Sequence, residues 1–456
     1  MTHPPGPTPV ILGLWLNSDH MSKITPDGWP TAQRRRGRDC HSVVVKPAVL
    51  VLAAALAALS ATAGCTSATT SGRLSPTLSL TPTPTTRSPT TTKPTAPSTP
   101  TSHARPTPTR TAAAGTDAVH VLRSMTEAQR VGQLFMVGAS SQGPDAATMQ
   151  AIRLDHVGSV ILTDTSQRGV AEIATISRGL QDAAGNTAKL FIATDQEGGE
   201  VQRLRGPGFD TIPSATQQGT MPPAQLRADA RGWGAQLRAA GINLNLAPVV
   251  DTVPAGTANA PIGAMLRQFG SDPATVAAHG IAFAQGLADA GIDATIKHFP
   301  GLGRVTDNTD TSAGVTDHIT TRHDAYLAPF TAAIKSGVPF VMMATAEYLG
   351  IDPAHPAAFS PTIVTGMLRG DLGFRGVVIS DDLGSAAQVV AYSPAARALN
   401  FIAAGGDVVL TVNAGQIPEM TAAVLTAAKA DPGFRAKVDA AALLVLTAKQ
   451  ARGLLG

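Results

Sequence analysis

Cysteine is almost missing from this chain: its 456 residues include two, Cys40 and Cys65. Everything after Cys65 therefore has neither a disulfide framework nor a Cys-based metal site available to it. A second scarcity is of material for a core. From Thr66 to Gly115 the chain runs in Thr, Pro and Ser, as in "TPTPTTRSPTTTKPTAPSTPTSHARPTPTR", with almost nothing apolar to bury. That excludes a folded domain there and describes a stiff, extended stalk, of a composition that carries O-linked sugars outside cells. No glycine fingerprint for phosphates follows any strand-like run, which disfavours a dinucleotide fold. Residues 1–115 hold eleven Lys+Arg and three Asp+Glu, a net of +8 against +3 for the whole chain, so the remainder carries −5. The overall pI near 9.0 thus belongs to the N-terminal region and implies no nucleic-acid partner.

What is present begins with "KPAVLVLAAALAALSATAGC", an apolar run of about 18 residues after Lys46, preceded by Arg34, Arg35, Arg36 and Arg38. A basic segment, an apolar segment and small residues in succession make a secretory signal. Small residues just before Cys65 resemble a bacterial lipobox, in which Cys65 becomes the lipidated first residue of the mature protein, although Thr62 is not the commonest residue at its place. An uncleaved N-terminal anchor is the alternative. Either route leaves the rest of the chain outside the cytoplasm, held to the membrane surface. The segment before the apolar run is long enough to make Met21 or another downstream residue a candidate start, and its arginines lack the apolar pair of a twin-arginine signal. The resulting organisation is a leader over 1–64, Cys65 and a linker to 115, and one folded domain over 116–456.

Within that domain short apolar runs alternate with helical patterns, which argues for a parallel α/β sheet. Eight candidate strands occur: "VGQLFMVG", "VGSVILT", "KLFIATD", "INLNLAPVVD", "IDATIKHF", "VPFVMMAT", "GVVISDD" and "GDVVLT". Eight is the number that closes a (β/α)8 barrel. Helical stretches such as "PATVAAHGIAFAQGLADAG" and "AKVDAAALLVLTAKQARGLL" lie between and after them. Asp195, Asp251, Lys297, His298, Asp381 and Asp382 all fall at C-terminal strand ends, the face on which such barrels build sites. One such residue alone caps a helix as readily as it serves a site; several together point to a site.

In "ATDQEGGEVQRL" the Asp195 carboxylate is suited to accept from vicinal hydroxyls and the Arg203 fork to hold further oxygens, the ligand set a sugar needs. Adjacent residues on a strand point to opposite faces. Only one of Asp381 and Asp382 therefore faces the mouth, the other bracing a loop, and Lys297 and His298 are likewise sent in different directions as donors to substrate oxygens.

The ordered motifs "DQEGG.VQR", "NLAPVVD", "R.FGSDP", "KHFPG.G" and "GVVISDDL", spread from about residue 120 to the C-terminus, resemble glycoside hydrolase family 3 in its single-domain β-N-acetylhexosaminidase branch. The resemblance implies a (β/α)8 TIM barrel and a retaining mechanism through a covalent glycosyl-enzyme. It implies that Asp381 is the nucleophile, Asp382 its support, and Asp195, Arg203, Arg267, Lys297 and His298 the residues that grip the sugar. The branch takes its acid/base from a mobile loop after the "KHFPG" strand, reading Lys-His-Phe-Pro-Gly-His-Gly, four variable residues, then Asp-Ser-His. Here Leu302 replaces the middle His, and Asn308, Thr309 and Asp310 replace Asp, Ser and His. Asp310 thus occupies the acid/base position, with Asp307 and Glu347 as rivals and a turn-rich, solvated loop as the plain alternative. A carboxylate there repels phosphate more than an imidazole does, favouring hydrolysis over phosphorolysis.

The expectation is an extracytoplasmic, lipid-anchored exo-β-N-acetylglucosaminidase needing no metal or organic cofactor, with N-acetylglucosamine-containing muropeptides from peptidoglycan as substrate. The alternatives are a β-glucosidase or β-xylosidase of the same family and a sugar-binding lipoprotein without catalysis.

Overall fold

The computed structural model describes residues 117–456. The leader, Cys65 and the linker lie outside the described residues. Eight parallel strands close into a barrel: β1 (Phe135–Ser140), β2 (Ser159–Thr163), β3 (Phe191–Thr194), β4 (Leu244–Asn245), β5 (Asp293–Phe299), β6 (Phe340–Met343), β7 (Val377–Asp382) and β8 (Val408–Thr411). Each strand pairs with its neighbours in sequence, and β8 closes on β1 through Phe135 opposite Val409. A helix follows every strand: α1 (Ala146–Arg153), α2 (Gly169–Ala184), α3 (Pro223–Ala239), α4 (Pro273–Asp289), α5 (Ala328–Lys335), α6 (Thr362–Asp371), α7 (Pro394–Ala404) and α8 (Ile417–Ala430), with α9 (Pro432–Ala451) added at the end. This is the expected (β/α)8 barrel.

Parallel strands covered on both faces read as continuous apolar runs, and their side chains divide by the period of two. Met136, Ile161, Phe191, Ala193, Phe340, Met342, Val377, Ile379, Val408 and Leu410 meet inside the barrel. Their neighbours Val137, Val160, Ile192, Val341, Val378 and Val409 turn outward against the helices. Phe191 and Phe340 pack edge to face in the interior at 5.3 Å. Most runs are shorter as strands than they read, two of them for a visible local reason. Val131 and Gly132 end a helix (Glu127–Gly132), so β1 begins at Phe135. In "INLNLAPVVD" the strand proper is Leu244–Asn245, a cis Ala247–Pro248 bond follows, and Val249 then rejoins the barrel by a single bridge to Lys297.

The floor of the barrel is closed by α9, whose Val445 joins the interior cluster with Leu444 and Ala448 packed against it. Lys449, one turn on, is fully buried; it donates to Gln133 Oε1 at 2.7 Å and lies 5.9 Å from the Phe191 ring centre. Burial without an anionic partner brings its ammonium down to about 7.

That shift sets a sign. The unfolded chain binds a proton at Lys449 that the folded chain has released at pH between about 7 and the ordinary 10.5, so folding stability rises with pH across that window and is flat below it. Urea unfolding of the wild type should gain at most about 1.4 kcal/mol per pH unit there from this group. Lys449→Met should remove the increment; an unchanged slope would show that the ammonium is not desolvated.

Candidate active site

The inward positions of three strands continue past the apolar interior into polar residues. After Phe191 and Ala193 comes Asp195, after Asp293 and Thr295 comes Lys297, and after Val377 and Ile379 comes Asp381. Two residues per repeat thus carry all three to the C-terminal mouth. They line one cavity of about 280 Å³ together with Arg203, Arg267, His298, Asn308, Thr309, Asp310 and Asp382. A wider groove of about 740 Å³ runs over α3 and the end of α4, lined by Ala228, Arg231, Ala235 and Arg238 among others. Its one carboxylate, Asp289, is taken up by Arg227 and has no second acid beside it, so the mouth, with its several carboxylates, is the candidate.

The segment after β3 forms a two-stranded hairpin, Gln196–Gly198 with Val201–Gln202. Its turn needs Gly198 (φ 111°), where a Cβ would meet the Pro213 carbonyl oxygen at 2.2 Å. Gln196 fixes the returning strand, its Nε2 donating to the Leu204 carbonyl at 2.7 Å and its Oε1 accepting from the Leu204 amide at 3.0 Å. This hairpin brings Arg203 to the wall, where its guanidinium has no partner among the described residues and stays available to a ligand.

Glu197, on the same hairpin, was not singled out from sequence. It is 4 % exposed and holds two cations at once: Arg267 binds it bidentately, Nε to Oε2 and Nη2 to Oε1, both at 2.8 Å, and Lys297 Nζ lies 2.7 Å from Oε1. Lys297 also donates to Asp195 Oδ1 at 2.7 Å. Burial pushes the Glu197 carboxyl up, yet the charges of Arg267 and Lys297 and their hydrogen bonds outweigh it and hold the group far below its usual range. Burial and the Arg267 charge act to lower the Lys297 ammonium, yet the charges of Asp195 and then Glu197 keep it raised. A glutamate two residues past a strand-end aspartate, before a glycine pair, was the available signal.

Asp251, noticed only as a strand-end residue, is a second organiser. Fully buried, it accepts from His298 Nδ1 at 2.7 Å, from the His298 amide at 3.1 Å and from the Leu302 amide at 2.9 Å. Lys297 and His298 both line the cavity, and the peptide between them is cis. The expectation that neighbours diverge fails here.

Asp381 and Asp382 also both line the cavity, but they are held differently. Asp381 continues the inward row, while the Asp382 carboxylate accepts from the amides of Gly384 (2.8 Å), Ser385 (3.0 Å) and Val412 (3.0 Å), bracing the loops after β7 and β8. Burial raises the Asp381 carboxyl; the adjacent His298 lowers it and the Asp310 charge raises it again.

Asp310 is on the cavity wall and solvent-exposed. Asp307 is exposed, accepts from Thr306 Oγ1 at 2.9 Å and does not line the cavity. Glu347 sits on a short strand (Glu347–Tyr348) and does not line it either. Geometry therefore separates Asp310 from both rivals. The loop expected to be mobile is pinned along its length. Asn259 Nδ2 holds the Leu302 and Val305 carbonyls, each at 2.7 Å, Tyr348 hydroxyl holds the Gly301 carbonyl at 2.8 Å, and Thr316–Asp317 pairs with Glu347–Tyr348.

Over residues 126–448 the sequence matches the Glycosyl hydrolase family 3 N terminal domain. A crystal structure of a β-N-acetylhexosaminidase from Beutenbergia cavernae is 52% identical, with a TM-score of 0.70 over 71% of this chain and 98% of that one. A family 3 β-N-acetylglucosaminidase from Paenibacillus sp. is 32% identical, with a TM-score of 0.67, over 72% of this chain and 63% of that one. A β-hexosaminidase of Xanthomonas oryzae pv. oryzae is 35% identical over 328 residues, 70% of this chain and 93% of its own.

The Glu197 cluster yields a measurable expectation. Glu197→Gln keeps the shape but leaves Arg267 and Lys297 short of a buried anion, at a cost of about 3–5 kcal/mol in urea unfolding at neutral pH. Because the folded carboxyl is depressed below its ordinary 4.5, the wild-type advantage is full above that pH and shrinks on acidification through it. A constant difference from pH 7 to pH 3 would contradict the ion-pair account.

Proposed function

This chain belongs to glycoside hydrolase family 3, and from that membership and the chemistry of the mouth we propose that it is a retaining exo-β-N-acetylglucosaminidase. The observation that carries the reading is one cavity wall holding Asp381 and Asp310 beside a set of sugar-gripping charges, Asp195, Arg203, Arg267, Lys297 and His298. The similar proteins support it by their names: a β-N-acetylhexosaminidase, a β-N-acetylglucosaminidase and a β-hexosaminidase.

In the proposed reaction an Asp381 oxygen attacks the anomeric carbon as the bond to the aglycone oxygen breaks, and that oxygen takes the Asp310 proton. Water then gives a proton to Asp310 and its oxygen to the anomeric carbon, releasing Asp381. Attack needs Asp381 ionised, which the nearby His298 favours against the effect of burial, and departure of the aglycone needs a proton delivered from Asp310. Lys297 and Asp195, tied to one another, offer a fixed donor and acceptor to ring hydroxyls, and positioning of this kind supplies much of the rate.

An aryl-glycoside panel tests this. Asp381→Ala should abolish turnover, and the 2-acetamido substrate should outpace the plain glucoside. Azide should restore activity to Asp310→Ala and not to Asp307→Ala or Glu347→Ala. Faster cleavage of the plain glucoside would move the protein to a β-glucosidase, and wild-type turnover equal to Asp381→Ala would leave a binding protein.

The proposed setting is the outer face of the cytoplasmic membrane, with the chain anchored through lipidated Cys65 and acting on muropeptides that carry a terminal N-acetylglucosamine. The lipobox-like run before Cys65 and the Thr/Pro/Ser stalk support it. In cells, wild type should partition into the detergent phase and Cys65→Ala should not. The purified enzyme should release N-acetylglucosamine from such muropeptides, and inertness on them would remove peptidoglycan from the proposal.

A further inference from the structure

The loop that carries Asp310 is joined to a second segment far along the chain, the 3-10 turn Ala387–Val389 after β7. Three contacts are made there. The Ala387 amide donates to the Asp310 carbonyl and the Gln388 amide to the Thr309 carbonyl, both at 3.1 Å. The Gln388 side chain, 6 % exposed, closes the far end of the loop: its Oε1 accepts from the Val315 amide at 2.7 Å and its Nε2 donates to the Val315 carbonyl at 3.4 Å. Asp310's own amide donates within the loop to Asn308 Oδ1 at 2.9 Å.

The segment making these contacts leaves β7 directly after Asp381 and Asp382. One short stretch thus carries the nucleophile at its start and grips the acid/base loop six residues later. An exposed aspartate on a long loop otherwise samples many positions, and misplacement by about 1 Å costs a catalytic group much of its effect. An amide side chain bonding the backbone through both its oxygen and its nitrogen fixes a segment as a strand partner does, and burial protects those bonds from water.

We propose that Ala387 and Gln388 form a latch that sets Asp310 against Asp381, with Gln388 as a positioning residue for proton transfer. The inference rests on Asp310 being the acid/base. The latch residues do not line the cavity, so their loss leaves sugar binding intact and weakens proton transfer by Asp310, to the aglycone in the first step and from water in the second.

The test uses two variants that break the latch differently. Gln388→Ala removes the side-chain clamp. Ala387→Pro removes the amide that serves Asp310, at the first position of the turn and after a residue at ψ 125°, both compatible with proline. Each is assayed with 2,4-dinitrophenyl and 4-methylumbelliferyl β-N-acetylglucosaminides, leaving groups that need little and much protonation, beside Asp310→Ala and with thermal unfolding as a control. Both latch variants should lose at least about tenfold in kcat/KM on the poorer leaving group and little on the better one, in the same sense as Asp310→Ala and with KM nearly unchanged on the poorer leaving group. If Asp310→Ala shows this selectivity and the latch variants keep the wild-type ratio, or lose both substrates equally, the latch is refuted and the acid/base reading stands. If Asp310→Ala shows no selectivity, the acid/base reading falls and the latch falls with it.

Discussion

Two cations buried in one barrel mouth repel each other and forgo hydration, and in this protein Glu197 makes that arrangement tenable. It lies between Arg267 and Lys297, and the three stand within hydrogen-bonding distance away from bulk water. In a medium of low effective dielectric each of these contacts is strong, and each unpaired charge is costly. The anion orients Arg267 by a two-pronged bond and leaves Lys297 free to bind Asp195 as well. Much of the wall that faces a ligand therefore has its direction set by a residue behind it. The hairpin turn at Gly198 exists in the same service, because it is what folds Glu197 back toward the axis.

The barrel was legible because parallel strands buried on both faces leave an unmistakable apolar signature, and their period of two sends Asp195, Lys297 and Asp381 to the mouth without reference to any partner. What was less legible depends on departures from that period or on distant contacts. His298 joins Lys297 at the cavity where alternation would turn it away. Glu197 lies on a hairpin whose existence follows from a glycine turn and from Gln196 bonding Leu204, not from any strand pattern. Asp251 reads as one more strand-end acid until His298 and Leu302 are seen to converge on it. The "GSDP" part of its motif turned out to start a helix, Asp272 accepting from the Thr275 amide at 2.9 Å, while only Arg267 of that motif reaches the cavity.

The loop after β5 shows how one position can change chemistry within a constant frame. Where the family pattern places a histidine and its aspartate partner, this chain places Asp310 and Asn308, and Asn308 turns its side-chain oxygen to the Asp310 amide. The partner that would orient an imidazole has become a residue that shapes the backbone.

The closing of the barrel floor bears on the order in which the chain can fold. Val445 and Lys449 belong to the interior of a barrel whose first strand begins at Phe135, and the Lys449–Gln133 contact spans 316 residues. A nascent chain emerging N-terminus first holds all eight strands before it holds the plug that seals them from water. Until α9 is synthesised the interior end is open, so sealing of the barrel waits for a segment that follows all eight strands, which stay exposed to other partners until then.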